Sequence, residues 1–141
     1  MPKPTYEDAQ LLLQLYSLAG ESELSKARHW FLTHYQPKPW EDLKEIYLKG
    51  SEEDRSIRMV IDYWDMVGAL VNNGVLSEDL FFETHEEDIQ VWSKVKVWVE
   101  GARRDMRPTY LRNLQILAER HLEWRQRNFS QLPHERLKKG R

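Results

Sequence analysis

No cysteine occurs among the 141 residues, which excludes disulfides, thiolate metal sites and a cysteine nucleophile. Long apolar runs are missing as well. The longest, residues 11–13 and 66–71, fall far short of the ~20 residues of a membrane-spanning helix. The opening Met1-Pro2-Lys3-Pro4-Thr5 lacks the apolar stretch of a secretory signal. These absences lead us to expect a soluble cytoplasmic protein without a membrane partner. Glycine is sparse: the six glycines include no pair closer than Gly68 and Gly74. That spacing excludes Gly-x-Gly-x-x-Gly and Gly-x-x-x-x-Gly-Lys, whose glycines let backbone approach phosphate. It excludes the Gly-x-Ser-x-Gly nucleophile elbow too. Five histidines occur, and none follows an Asp or Glu by three residues, so the Glu-x-x-His pattern of di-iron bundles is missing. The His-Glu-x-x-His zinc helix is missing as well. Neither a metal nor another cofactor is expected.

What is present is a chain of one ordinary domain's size, 40% hydrophobic and 31% charged. We expect a helical-bundle domain over residues 1–128 and a basic tail over 129–141. Charge is unevenly placed. Residues 1–100 hold 10 basic and 19 acidic side chains, whereas residues 101–141 hold 11 basic and 4 acidic ones. An acidic body therefore carries a basic end, a pattern that suits solvation or an anionic partner.

Apolar spacing follows the helical period along nearly the whole chain, and strand-like alternation is almost absent. An all-α bundle of about five main helices plus short helical turns is expected. Thr5 with Asp8 opens a first helix that Gly20 ends. Ser22 opens a second, to about Tyr35, before Pro37 and Pro39 break the pattern. A third runs from Trp40 to Lys49. Ser51 caps a fourth over about 52–72, apolar round most of its circumference and hence central. Gly74 closes it. Ser77 starts a short turn, Thr84 with Glu87 forms a capping box for a helix over about 85–106, and Pro108 precedes a last helix over about 109–128.

Several stretches read together carry a family resemblance. They are Tyr6-Glu7-Asp8-Ala9 with Leu15-Tyr16, Lys26-Ala27-Arg28 with Trp30-Phe31, and Arg58-Met59-Val60 running into Tyr63-Trp64-Asp65-Met66-Val67. Asn73-Gly74-Val75-Leu76 and Leu80-Phe81-Phe82 complete the set. Over roughly residues 6–117 the chain resembles a family of small bacterial helical proteins known only as a domain of unknown function. The resemblance implies an all-α bacterial cytoplasmic protein and brings no activity, cofactor or catalytic residue with it.

With no catalytic motif in the chain, the sequence points to a non-enzymatic helical adaptor or regulatory module whose partner is a protein, itself or another. Three sets of residues are candidates for sites. Asp62 and Asp65 on the central helix, with Trp64 and His121, could line a Trp-rich small-molecule pocket. Arg58 is expected to pair with Asp62 one turn on. His121, between Leu117 and Trp124, reads either as a core histidine held by an acceptor or as a pocket base. Arg112, Arg120 and Arg127 share one side of the last helix and could track an anion or a nucleic-acid backbone. An acidic overall pI of about 6.2 disfavours nucleic acid. Finally, the first helix carries two apolar stripes, Ala9/Leu12/Leu13/Tyr16/Ala19 and Leu11/Leu15/Leu18. One suffices for docking, so the Leu11/Leu15/Leu18 stripe is covered either by the 37–49 segment folding over it or by a second copy of the chain, and it is the candidate for self-association.

Overall fold

A computed structural model describes residues 2–47 and 49–129. Among these residues the structure is all-helical, with eight helices and no strand: α1 (Tyr6–Ala19), α2 (Ser22–Thr33), α3 (Trp40–Leu43), α4 (Glu52–Asn72), α5 (Glu78–Thr84), α6 (Glu87–Val95), α7 (Val99–Asp105) and α8 (Arg112–Phe129). None is long and apolar enough to cross a membrane. The basic tail expected over 129–141 lies, from residue 130, outside the described residues.

α4 is the centre. Ile57, Val60, Ile61, Tyr63, Trp64, Val67 and Val71 are all buried, and α2, α5, α6 and α8 pack against them. Ser51 caps it by accepting from Asp54 N, and Gly74 ends it in the left-handed region at φ 74°. That conformation, which glycine adopts without a Cβ penalty, lets Val75 N donate back to Leu70 O at 2.9 Å. Where α4 crosses α8 the backbones nearly touch. A Cβ on Gly68 would stand 2.5 Å from Asn113 O.

Polar groups tie the peripheral helices to this centre. Thr5 and Asp8 form the expected capping box of α1, and the other Asp8 oxygen accepts from Ser77 N at 2.8 Å. Tyr63 Oη donates to Leu15 O at 2.9 Å, joining α4 to α1. Lys94 reaches from α6 to the end of α2, where its Nζ donates to Phe31 O and Tyr35 O at 2.7 and 2.8 Å. A cation there satisfies open carbonyls and complements the helix dipole, although burial lowers the lysine pKa.

Three expected boundaries are corrected. The third helix stops at Leu43, and a turn carries the chain on, so that Leu43 and Tyr47 still bury together. The helix expected over 85–106 is two helices, α6 and α7, separated by a turn at 96–98. Val95, Val97 and Val99 weaken the helix there, and Trp98 N donates to Val95 O, three residues back. The tighter turn swings Trp98 into the core beside Trp40 and Tyr47, at ring separations of 6.1 and 5.8 Å. Nor does Thr84 cap α6. Its hydroxyl donates to Leu80 O and Phe81 O and closes α5, which frees Glu87 for another role.

Candidate functional site

The polar arc of α4 is held by its own chain. Asp65 Oδ1 accepts from Leu114 N at 2.9 Å and thereby serves the first turn of α8. Arg58 turns back to Asp54, with Nε 3.1 Å from Oδ1, instead of forward to Asp62. Its guanidinium lies 4.4 Å from the centre of the Tyr47 ring, whose hydroxyl meets that of Tyr110. The cation–π contact and the buried Asp54 explain that choice. Asp62 keeps an exposed side chain, yet crowding around its carboxyl raises its pKa, with Arg58 pulling the other way. Trp64 is buried and donates from Nε1 to Glu87 Oε2 at 2.9 Å.

Glu87 is a junction that the sequence did not announce. Besides Trp64 it accepts a two-point bond from Arg28, at 2.8 Å from Nε and 2.9 Å from the second terminal nitrogen. The other terminal nitrogen of Arg28 donates to Ala19 O at the end of α1. One carboxylate thus ties α1, α2, α4 and α6 together, and its pull raises the pKa of Arg28. The only sequence signal was the Thr84–Glu87 spacing, which suggests a cap.

His121 is fully buried, as is Asp88, and its Nδ1 lies 2.8 and 3.1 Å from the two Asp88 oxygens. The ring stacks on Phe82 at 4.4 Å. Its Nε2 has no hydrogen-bond partner among the described residues. A parallel stack, His85 on Phe81 at 4.4 Å, lies beside it. The aspartate–histidine geometry resembles half of a hydrolytic triad, but its reactive nitrogen is sealed within aromatic side chains and meets no open space. Asp65, Trp64 and His121 therefore have separate partners, and neither they nor Asp62 line the clefts described below.

The arginines of α8 are divided. Arg112 and Arg127 are exposed, whereas Arg120 forms an ion pair with Glu78. Exposed Glu119 and Glu123 stand among them, so the face alternates in sign. Among the described residues no group of three or more His, Asp or Glu side chains is placed to hold a metal ion.

Clefts open at the surface of the described residues. One, of about 910 Å³, lies between α2 and the first half of α4, lined by Trp30 and Met59 with Lys26, Arg55, Glu52 and Glu53 among its charged groups. None of these four forms an ion pair among the described residues, and their charges balance, so the cleft favours no ligand of one sign. A second, of about 390 Å³, sits beside the start of α1 against Val71, Leu76 and Asp79. A third, of about 430 Å³, is an open dimple beside His85 and Arg125.

α1 departs most from expectation. Of the stripe assigned to self-association, Leu15 is 2% exposed and lies in the core, Leu11 is half-buried against it, and only Leu18 stands out. Leu11 and Leu15 face inward, and Leu15 O accepts from Tyr63 Oη. Of the other stripe, Leu12 and Ala19 also pack against the core, and the outward face is made by Leu13 and Tyr16 together with Tyr6, which are 67%, 77% and 76% exposed, with half-buried Ala9 among them. Positions 6, 9, 13 and 16 alternate in steps of three and four, the spacing of a coiled-coil seam. From Ala9 to Gly20 the chain has no charged residue. That spacing, read with the missing charge, was the available sequence signal.

No curated protein and no solved structure matches the chain. The family model of a domain of unknown function, DUF4760, matches residues 4–121, nearly the span over which the resemblance was read. With that much of its length covered, the chain belongs to this family.

Proposed function

We propose that the protein is a non-enzymatic helical interaction module, an adaptor or regulator, that pairs with a second copy of itself through the outer face of α1. The observation that carries this reading is the exposed Tyr6–Ala9–Leu13–Tyr16 seam on a helix already fastened from behind. An apolar seam of that spacing is what a partner helix packs against. Because Leu15 is in the core and Asp8 and Tyr63 hold both ends of α1, pairing needs little further ordering, which favours association.

Size sets the expected strength. A tyrosine side chain contributes about 150–250 Å², so two of them and a leucine bury about 400 Å² per copy. A standard stable interface takes ~800 Å² per partner. The dimer is therefore weak, with a dissociation constant of about 10 µM to about 1 mM. Sedimentation equilibrium from about 10 µM to about 1 mM tests it. Wild type should shift from monomer to dimer, and Leu13→Glu should stay monomeric with an unchanged thermal melt, because Leu13 is exposed. A wild type that remains monomeric throughout refutes the proposal. A cytoplasmic bacterial setting goes with this reading and rests on the sequence resemblance alone. Nucleic-acid binding has less support, since Arg120 is engaged by Glu78 and acidic side chains share its face.

A further inference from the structure

Building on that reading of α1 as the pairing face, we infer that the two α1 helices run antiparallel about a two-fold axis at the level of Leu11, with Tyr6 packed on Tyr16 of the second copy and Leu13 on Ala9 of the second copy. In a coiled-coil seam the apolar positions fall into two classes, a and d, alternating by three and four residues. Tyr6 and Leu13 fall in one class, Ala9 and Tyr16 in the other. An antiparallel pair sets one class against the other, layer by layer. Any seam spaced three, four, three permits a single axis, here at residue 11, which relates 6 to 16 and 9 to 13. A two-fold contact demands this property, since residue i must meet j while j meets i.

Side-chain size favours this direction over the parallel one. Antiparallel pairing gives four layers: Tyr–Tyr, Ala–Leu, Leu–Ala and Tyr–Tyr, so each inner layer joins a large and a small side chain. Parallel pairing gives an Ala–Ala layer, which leaves a void between bulky neighbours, and voids are destabilising. Antiparallel helix dipoles attract as well. The flanking positions Thr5, Gln10, Leu12 and Ser17 are all uncharged. Neither orientation thus meets charge repulsion at the seam, and a second copy can approach without leaving an unpaired charge.

The cysteine-free chain allows a direct test. Tyr6→Cys and Tyr16→Cys are prepared separately, one with a size tag, and treated at high concentration with a bismaleimide alone or mixed. In the antiparallel pair, two copies of position 6 lie ten residues apart along the axis, about 15 Å, beyond a short linker, whereas position 6 meets position 16. The mixture should give linked dimer, and each variant alone should give almost none. Linking in each variant alone, with no gain on mixing, overturns the antiparallel arrangement. Sedimentation of Tyr6→Glu and of Tyr6→Glu/Tyr16→Lys covers the case in which losing a tyrosine weakens the pair. Tyr6→Glu should abolish dimerisation, and the double variant should restore it by setting opposite charges face to face at both ends. No restoration, while wild type dimerises, overturns this arrangement and leaves self-association standing. A monomeric wild type removes both.

Discussion

The crossing of α4 and α8 makes a sharp prediction at Gly68. A methyl group there would lie 2.5 Å from Asn113 O, 2.8 Å from Asn113 C and 3.3 Å from Leu114 N. All three atoms are backbone, so no side chain can rotate away, and the helices must part by about 1 Å to reach ordinary contact. Two hydrogen bonds bracket the contact: Leu114 N to Asp65 Oδ1 at 2.9 Å, and Asn72 Nδ2 to Asn113 O at 3.0 Å. Overpacking costs about 1–3 kcal/mol, and loosening each hydrogen bond adds about 1 kcal/mol. Against this, alanine gains about 1 kcal/mol over glycine in a helix interior. Gly68→Ala should therefore lose about 2–4 kcal/mol, read by urea denaturation followed by circular dichroism. In a chain of this length the melting temperature should fall by about 10 °C. Gly20→Ala is the control, because its new Cβ meets only carbonyl oxygens at 3.6 Å, and it should stay within about 0.5 kcal/mol of wild type. If Gly68→Ala were as stable as that control, the close backbone crossing would be wrong.

Arg28→Met should destabilise by about 2 kcal/mol, less than the loss for a fully buried ion pair because both partners keep some exposure; adding Glu87→Gln to it should recover part of the loss, and equal denaturation midpoints for the single and double variants would contradict the shared carboxylate. Burial holds the His85 pKa below its ordinary value of 6.5, so the unfolded chain takes up a proton more readily than the folded one. Stability from this group is complete above about pH 6.5 and falls as acid is added. His85→Phe, which keeps the stack on Phe81, should flatten the decline of stability between about pH 7 and about pH 5, and an unchanged slope would show that His85 does not produce it.

Features that depend on neighbouring residues along the chain were readable from the sequence. The Thr5–Asp8 box, the Ser51 cap, the α4 boundaries at 52–72 and the Gly74 stop all occur as the spacing predicts. Features set by packing at a distance were not. Leu111 adopts φ 55° ahead of α8, an uncommon conformation for a bulky side chain. Local sequence gives no hint of it, since the reward is a leucine buried to 1% exposure. Glu87 and Lys94 look like ordinary surface charges in helical sequence, and both are drawn inward by groups about sixty residues away: Arg28 for the one, the carbonyls closing α2 for the other. His121 was placed correctly on the inward stripe, but only the fold reveals Asp88 as its partner.

The two stripes of α1 illustrate the same division at the proposed interface. Helical period identified both stripes, yet it is silent on how they divide between core and solvent: Leu11 and Leu15 of one and Leu12 and Ala19 of the other pack inward, whereas Leu13, Tyr16 and Leu18 are exposed. The inward choice follows from what lies behind the helix: Tyr63 offers a hydroxyl to Leu15 O, and Ser77 offers an amide to Asp8. Those two bonds fix the rotation of α1 about its axis and turn Tyr6, Leu13 and Tyr16 outward. The other long helices, α2, α4 and α8, all place exposed charges on their outer sides. α1 beyond Asp8 places none. A free monomer gains solubility from such charges, whereas a helix that meets its own copy gains from omitting them, since like charges across a two-fold axis would repel.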